Sequence, residues 1–136
     1  MRLNLSGQYT EDMLIPGEQF GAGGASSVRG FHEREIANDK GQLISAEIYT
    51  PELCSNITAV AAQCRILAFV DTARLSRNDP LPGEIRHSSI GSFGLGSRIS
   101  MDKSLAMQVD YAQVFDAGGS QAKGDQRLHF SISYLY

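Results

Sequence analysis

The sequence predicts an all-β fold, an antiparallel meander of about six strands with one apolar and one wet face. Three observations predict it. Apolar residues recur at every second position in six separate segments. The gaps between those segments alternate between long and short. No segment of convincing length carries the 3.6-residue period of a helix.

The segments support this in order. In the first, Leu3, Leu5 and Tyr9 alternate, with Gly7 in phase, against Arg2, Asn4, Ser6, Gln8 and Thr10. The second runs from Gln42 to about Pro51, with Ile44, Ala46 and Ile48 on one face and Ser45 and Glu47 on the other. The third runs from Ile57 to about Leu75. Its apolar face is Val60, Ala62, Cys64, Ile66, Ala68 and Val70, and Gln63, Arg65 and Asp71 lie opposite together with Leu67 and Phe69. In the fourth, Ser88 to Met101, Phe93, Leu95, Ile99 and Met101 alternate with Ser92, Gly94, Gly96, Arg98 and Ser100. In the fifth, Ser104 to about Val114, Leu105, Met107, Val109 and Tyr111 alternate with Ala106, Gln108 and Asp110. In the sixth, Leu128, Phe130, Ile132, Tyr134 and Tyr136 alternate with His129, Ser131 and Ser133 to the end of the sequence.

The gaps are long (about Glu11 to Gly41), short (Glu52 to Asn56), long (Ser76 to His87), short (Asp102-Lys103) and long (Phe115 to Arg127). A transmembrane barrel sorts its connections this way, with short turns at one rim and long external loops at the other. A soluble lipocalin-like barrel that binds a small ligand is the alternative that pattern alone leaves open. Mid-strand charges at Arg65, Arg98 and Asp110 favour a water-filled lumen over a dry core.

Composition narrows the function. The net charge of −3, with basic residues scattered singly, argues against nucleic acid. No run of 18 apolar residues exists, so a transmembrane helix is not expected, whereas a barrel hides its apolar residues at alternate positions. The opening residues already alternate, so no signal peptide is expected there. Cys54 and Cys64 are too few for a disulfide scaffold and lack metal-ligand spacing, so they are expected to be unpaired thiols, with a disulfide as the minor alternative.

Other chemistry finds little support. Gly21-x-Gly23-Gly24 lacks the strand–helix setting or the Gly-Lys-Ser/Thr of a nucleotide loop. Ser26, Ser27, Ser89 and Ser92 sit in no Gly-x-Ser-x-Gly elbow. His32, His87 and His129 form no metal-spaced pair; His32 reads as a solvated loop residue and His129 as a lumen residue of the last strand. No enzyme activity, cofactor, metal or nucleotide is expected.

The first long loop, about residues 11–41, contains Glu18-Gln19-Phe20, Gly23-Gly24 and Val28-Arg29-Gly30-Phe31 in that order. Phe69-x-Asp71 follows in the third segment, with Ala73 two positions on. This set resembles the signature of two-partner secretion transporters, the hemolysin secretion/activation (ShlB/FhaC/HecB-like) family of the bacterial outer membrane. The Val-Arg-Gly-Phe element alone is shared with assembly-factor barrels, the runner-up within the same class. Ala73 stands where the family usually has Gly, which adds a methyl on the lumen side.

The resemblance implies that residues 1–136 are the C-terminal portion of a sixteen-stranded transmembrane barrel. Its loop would fold back into the pore, where Arg29 meets Asp71 as a latch. Glu18, Gln19, Phe20, Gly23, Gly24, Val28, Gly30, Phe31 and Phe69 would support that latch. It implies a pore that exports a large exoprotein of the hemolysin or adhesin type. The partners would be that exoprotein, outer-membrane lipid and the barrel assembly machinery. Phe130, Ile132, Tyr134 and Tyr136 resemble the terminal signal by which such barrels are inserted. Six strands fall short of the roughly eight that close a barrel, so the chain reads as a fragment of a longer transporter.

Overall fold

A computed structural model describes residues 1–54, 62–101 and 104–136. The described elements are all strands, and six of them form one antiparallel sheet. These are β1 (Arg2–Gln8), β4 (Lys40–Tyr49), β5 (Ala62–Ser76), β6 (His87–Met101), β7 (Leu105–Ala117) and β8 (Gln126–Tyr134), each paired with the next in that order. The sheet is therefore the meander that the alternation predicts. The start of the third segment at Ile57 and the turn at Asp102-Lys103 lie outside the described residues.

Two details of the strands differ from the sequence reading. The last ladder stops at Tyr134, with one further backbone bond from Leu135 to Ser104 (2.7 Å), so Tyr136 lies beyond it. The register shifts between Gly91 and Ser92, where the residue after Val114 is extra on β7. That bulge leaves Phe115 outside, ring to ring with Phe93 at 6.3 Å.

One face carries the exposed apolar residues: Leu3, Leu5, Ile48, Ile66, Val70, Leu95, Leu128, Phe130, Ile132 and Tyr134. The other face is covered by the segment between β1 and β4. That segment folds back over the sheet and forms a small hairpin of its own, β2 (Phe20–Ala22) with β3 (Ile36–Asn38). The loop contributes Ala22, Val28, Phe31 and Ile36, and the wall contributes Leu43, Ala73, Leu75, Ile90 and Val114. Phe20 packs at the edge of this cluster.

This corrects one expectation. The inner face is not wet throughout, because the loop-root half is a dry layer of loop on wall. The apolar inward residues Leu43, Leu75, Ile90 and Val114 break the simple alternation, and covering them removes apolar surface from water. The Ala73 methyl is packed inside this layer.

The loop root is tied by Asp39, which is fully buried. Its carboxylate accepts the backbone N–H groups of Leu14 and Asn78, both at 2.9 Å, and the Gln19 amide at 3.4 Å. Gln8 adds bonds to the carbonyls of Glu18 (3.0 Å) and Asp39 (3.2 Å).

The cysteines correct a second expectation. Cys54 and Cys64 are joined in a disulfide with Cα atoms 5.2 Å apart. The antiparallel return of β5 beside β4 brings them together, and Leu53 donates its N–H to the Cys64 carbonyl at 3.0 Å. Glu52 accepts the N–H groups of both cysteines. Sequence spacing alone does not reveal a contact created by strand pairing.

Truncating Phe31 to Ala removes the largest loop side chain from the dry layer. Loop docking should weaken by about 3 kcal/mol, read as faster proteolysis within residues 9–39. Unchanged proteolysis would contradict this packing.

Asp39 supplies a pH dependence. The Asn78 and Leu14 N–H groups favour its charged form and hold its pKa below the ordinary carboxylate value. Its stabilisation is thus present above the unfolded value of about 3.9 and is lost as pH falls through the lower folded value. Hydrogen exchange in residues 9–39 should quicken in that acid range in the native chain. The Asp39→Asn variant should lose this dependence; equal acid sensitivity in both would contradict the assignment.

Candidate functional site

Alternation on β5 places Leu67, Phe69, Asp71, Ala73 and Leu75 on the inner face, all buried. Phe69 and Asp71 are thus neighbours on one surface, one offering a ring face and the other a carboxylate. Opposite Phe69 on β6 stands Gly94, and opposite Leu67 stands Gly96. A Cβ on Gly94 would meet the Phe69 ring at 2.6 Å. Glycine there lets the ring lie flat across β6.

The loop tip settles on this surface. Gly30 adopts a φ of 95°, and a Cβ at this position would press on Ala112 at 3.1 Å. The positive φ bends the chain so that Val28, Arg29 and Phe31 are all buried. Gly23 and Gly24, also at positive φ, close the turn behind the tip. Gly24 donates to the Val28 carbonyl (3.1 Å) and Gly23 to the Ser27 hydroxyl (2.9 Å).

Arg29 is 5% exposed and bonded along its whole guanidinium. Nε lies 2.7 Å from Asp71 Oδ2 and Nη2 lies 2.9 Å from Asp71 Oδ1, a two-pronged pair. The Arg29 backbone N–H donates to the same carboxylate at 3.2 Å. Nη1 lies 2.8 Å from Glu47 Oε1 and 3.7 Å from Asp110 Oδ1. The guanidinium carbon stands 3.6 Å from the Phe69 ring centroid, a cation–π contact.

The carboxylates are themselves held. Ser45 donates to Asp71 Oδ1 at 2.6 Å, and Tyr49 donates to Glu47 at 2.5 Å. Arg98 grips both oxygens of Asp110 at 2.8 and 3.0 Å. Arg65 stands opposite Arg98 in the register, an unfavourable like-charge pair, and turns instead toward Glu52 at 3.5 Å.

The inner face therefore sets Glu47, Asp71 and Asp110, from three strands, against Arg29, Arg98 and Arg2, the last opposite Glu47 in the register. Without Arg29, Asp71 would be a wholly buried carboxylate beside two others, which costs about 3–5 kcal/mol by the measure of broken buried pairs.

The other sequence-nominated residues fall in separate places. Glu18, Gln19 and Phe20 lie at the loop root, around Asp39 and β2, away from Arg29. Phe130, Ile132 and Tyr134 are exposed on the apolar face of β8. Several residues that hold the tip were not nominated. Ser45, Glu47, Asp110 and Arg98 sat among ordinary polar-face residues, where alternation signals the face but not the partner. His129 is the clearest omission: its Nε2 accepts the Gly30 N–H at 3.0 Å, so β8 holds the tip from the far side. His32 is exposed, with both ring nitrogens near the Arg127 guanidinium (2.9 and 3.1 Å).

Among the described residues no cluster of side chains fits a metal ion. The arrangement is suited to holding the loop against the wall.

The family model described as haemolysin secretion/activation protein ShlB/FhaC/HecB matches residues 1–99. That span includes the whole loop, β4, β5 and most of β6. Searches of curated proteins and of solved structures return no match.

Two substitutions separate the contributions to the tip. Arg29→Lys keeps a charge but loses the fork and the ring contact, so loop protection should fall by about 2 kcal/mol. His129→Phe fills the space without an acceptor for Gly30, at about 1–3 kcal/mol. Hydrogen exchange at residues 28–31 measures both; native-like protection in Arg29→Lys would show that charge alone holds the tip.

Proposed function

The chain belongs to the haemolysin secretion/activation protein family, and we propose that it forms the wall and pore loop of an outer-membrane channel that exports a large partner protein. The observation that carries this reading is the grip of three wall carboxylates and Phe69 on Arg29. A loop whose buried charged tip is clamped to one face of a strand wall is positioned to occlude the lumen that such a wall encloses.

The faces of the sheet support the membrane setting. Exposed apolar side chains occupy the outer face on every strand except β2 and β3. From Thr72 to Ala62, β5 spans about 33 Å of strand, which at a tilt of about 40° gives a band of about 25 Å, the height of a barrel's lipid-facing belt. No helix of the described residues is long and apolar enough to cross a membrane, and barrels cross by strands. The longest connection, residues 9–39, lies at one end of the sheet, which in outer-membrane barrels is the external one.

In this reading β1 and β8 pair with further strands, because lipid leaves no solvent for a bare sheet edge. The exported chain passes unfolded, and no covalent step is involved. Arg29 leaves the wall when the exported chain supplies other partners for the carboxylates. Those carboxylates, once Arg29 has left, favour basic and hydrogen-bond-donating segments of that chain. Insertion into the membrane proceeds through the alternating Phe130, Ile132, Tyr134 and Tyr136.

The test is charge reversal in the transporter expressed with its exoprotein. Asp71→Arg should cut the exoprotein in the medium at least tenfold, by placing two guanidinium groups together. Adding Arg29→Asp in the same molecule should restore a substantial part. Export unaffected by either single reversal would remove the pair from the mechanism.

A further inference from the structure

The outer face of the sheet changes character at its long-loop end. By register, Gly7, Gln42, Arg74 and Ser89 form one outward row, and Lys40, Ser76 and His87 form the next row toward the loops. Tyr9 joins that outer row, with Lys40 Nζ 5.5 Å from its ring centroid. Two residues further from the loops the same face is Leu5 and Ile44, then Val70 and Phe93, all exposed. The polar rows line an open cleft of about 950 Å³, bounded by Tyr9, Lys40, Gln42, Arg74, His87 and Ser89.

The two cations of this cleft, Lys40 and Arg74, are free of ion pairs among the described residues, whereas nearby Arg77 is paired with Glu84. Two carboxylates hydrogen-bond residues of the cleft, Asp116 accepting from Ser89 at 2.7 Å and Glu11 from the Tyr9 hydroxyl at 3.4 Å. Ordinary surface charges stay in water, but these two stand directly at the edge of an apolar belt. A cationic cluster at that boundary matches an amphiphile with an anionic head and hydrocarbon tails. Free phosphate would use the cations alone; the exposed apolar side chains of Leu5, Ile44, Val70 and Phe93 beyond them select a lipid.

We propose that this cleft binds a phosphate-bearing lipid of the outer leaflet. Lys40 and Arg74 take the phosphate, Gln42 and Ser89 bond the head group, and the acyl chains lie on Leu5, Ile44, Val70 and Phe93. Arg74 offers a fork for two phosphate oxygens, and Lys40 a point charge held over Tyr9. The proposal rests on the membrane reading given above. It adds a site with a function of its own, since a lipid held there braces β1, β4, β5 and β6 at the rim from which the pore loop enters.

The experiment is to extract the protein from outer membranes in mild detergent and count bound lipid phosphate per chain by mass spectrometry. The native protein should retain phosphate-bearing lipid. Lys40→Gln with Arg74→Gln should retain about 20-fold less, and Lys123→Gln, a cation in an exposed loop away from the cleft, should match the native protein. If the double variant does not reach the membrane, Arg74→Gln alone should show a loss of about fivefold. Inorganic phosphate at matched concentration should not displace the lipid; displacement would mean an anion site and would overturn the lipid assignment. Native protein in the membrane without bound lipid phosphate, or equal retention by the cleft variants, overturns the proposal and leaves the membrane reading intact. Native protein absent from the membrane fraction overturns both.

Discussion

A buried guanidinium must be surrounded by acceptors, and most of the inner face of this sheet is arranged around that requirement. Arg29 reaches the wall only because Gly30 permits a left-handed bend. It lies flat only because Phe69 does, and Phe69 lies flat only because Gly94 opposes it. The charge is then balanced by Asp71, whose second oxygen is held by Ser45, and by Glu47, which is held by Tyr49. Removing any one of these leaves a void or an unpaired polar group in a region that water does not reach freely.

The rest of the loop follows from fixing its tip and its root. Asp39 closes the root through Leu14, Gln19 and Asn78, and the tip is held by β4, β5, β7 and β8. Between them, the apolar layer of Val28, Phe31, Ile36, Leu75, Ile90 and Val114 supplies burial without direction. The polar contacts therefore set where the loop sits, and the apolar layer supplies much of the energy that keeps it there.

Strand number, order and facing were legible because each strand is two-sided, and side-chain period 2 translates directly into face. The break in that rule was also informative. Leu67 and Phe69 stood on the polar side of β5, for they pack with Ala112 and Tyr49 in a second buried cluster, where Phe69 lies under Arg29. Partners across strands were not legible. Nothing local in the sequence marks Glu47, Asp110 or Ser45 as neighbours of Arg29, and His129 lies 99 positions from Gly30. The Cys54–Cys64 bridge was missed for the same reason, since pairing of β4 and β5 creates that contact. The resemblance linked Arg29 with Asp71 through shared motifs, a connection that alternation alone does not supply.

The central claim is that Arg29 and Asp71 act on each other directly and hold the loop against the wall. A double-mutant cycle with Arg29→Gln and Asp71→Asn, read as protease protection of residues 9–39 in membrane-inserted protein, measures this coupling. The account predicts a coupling energy of at least about 1.5 kcal/mol, within the range for contacting charged groups. Strictly additive losses, with a coupling near zero, would contradict it.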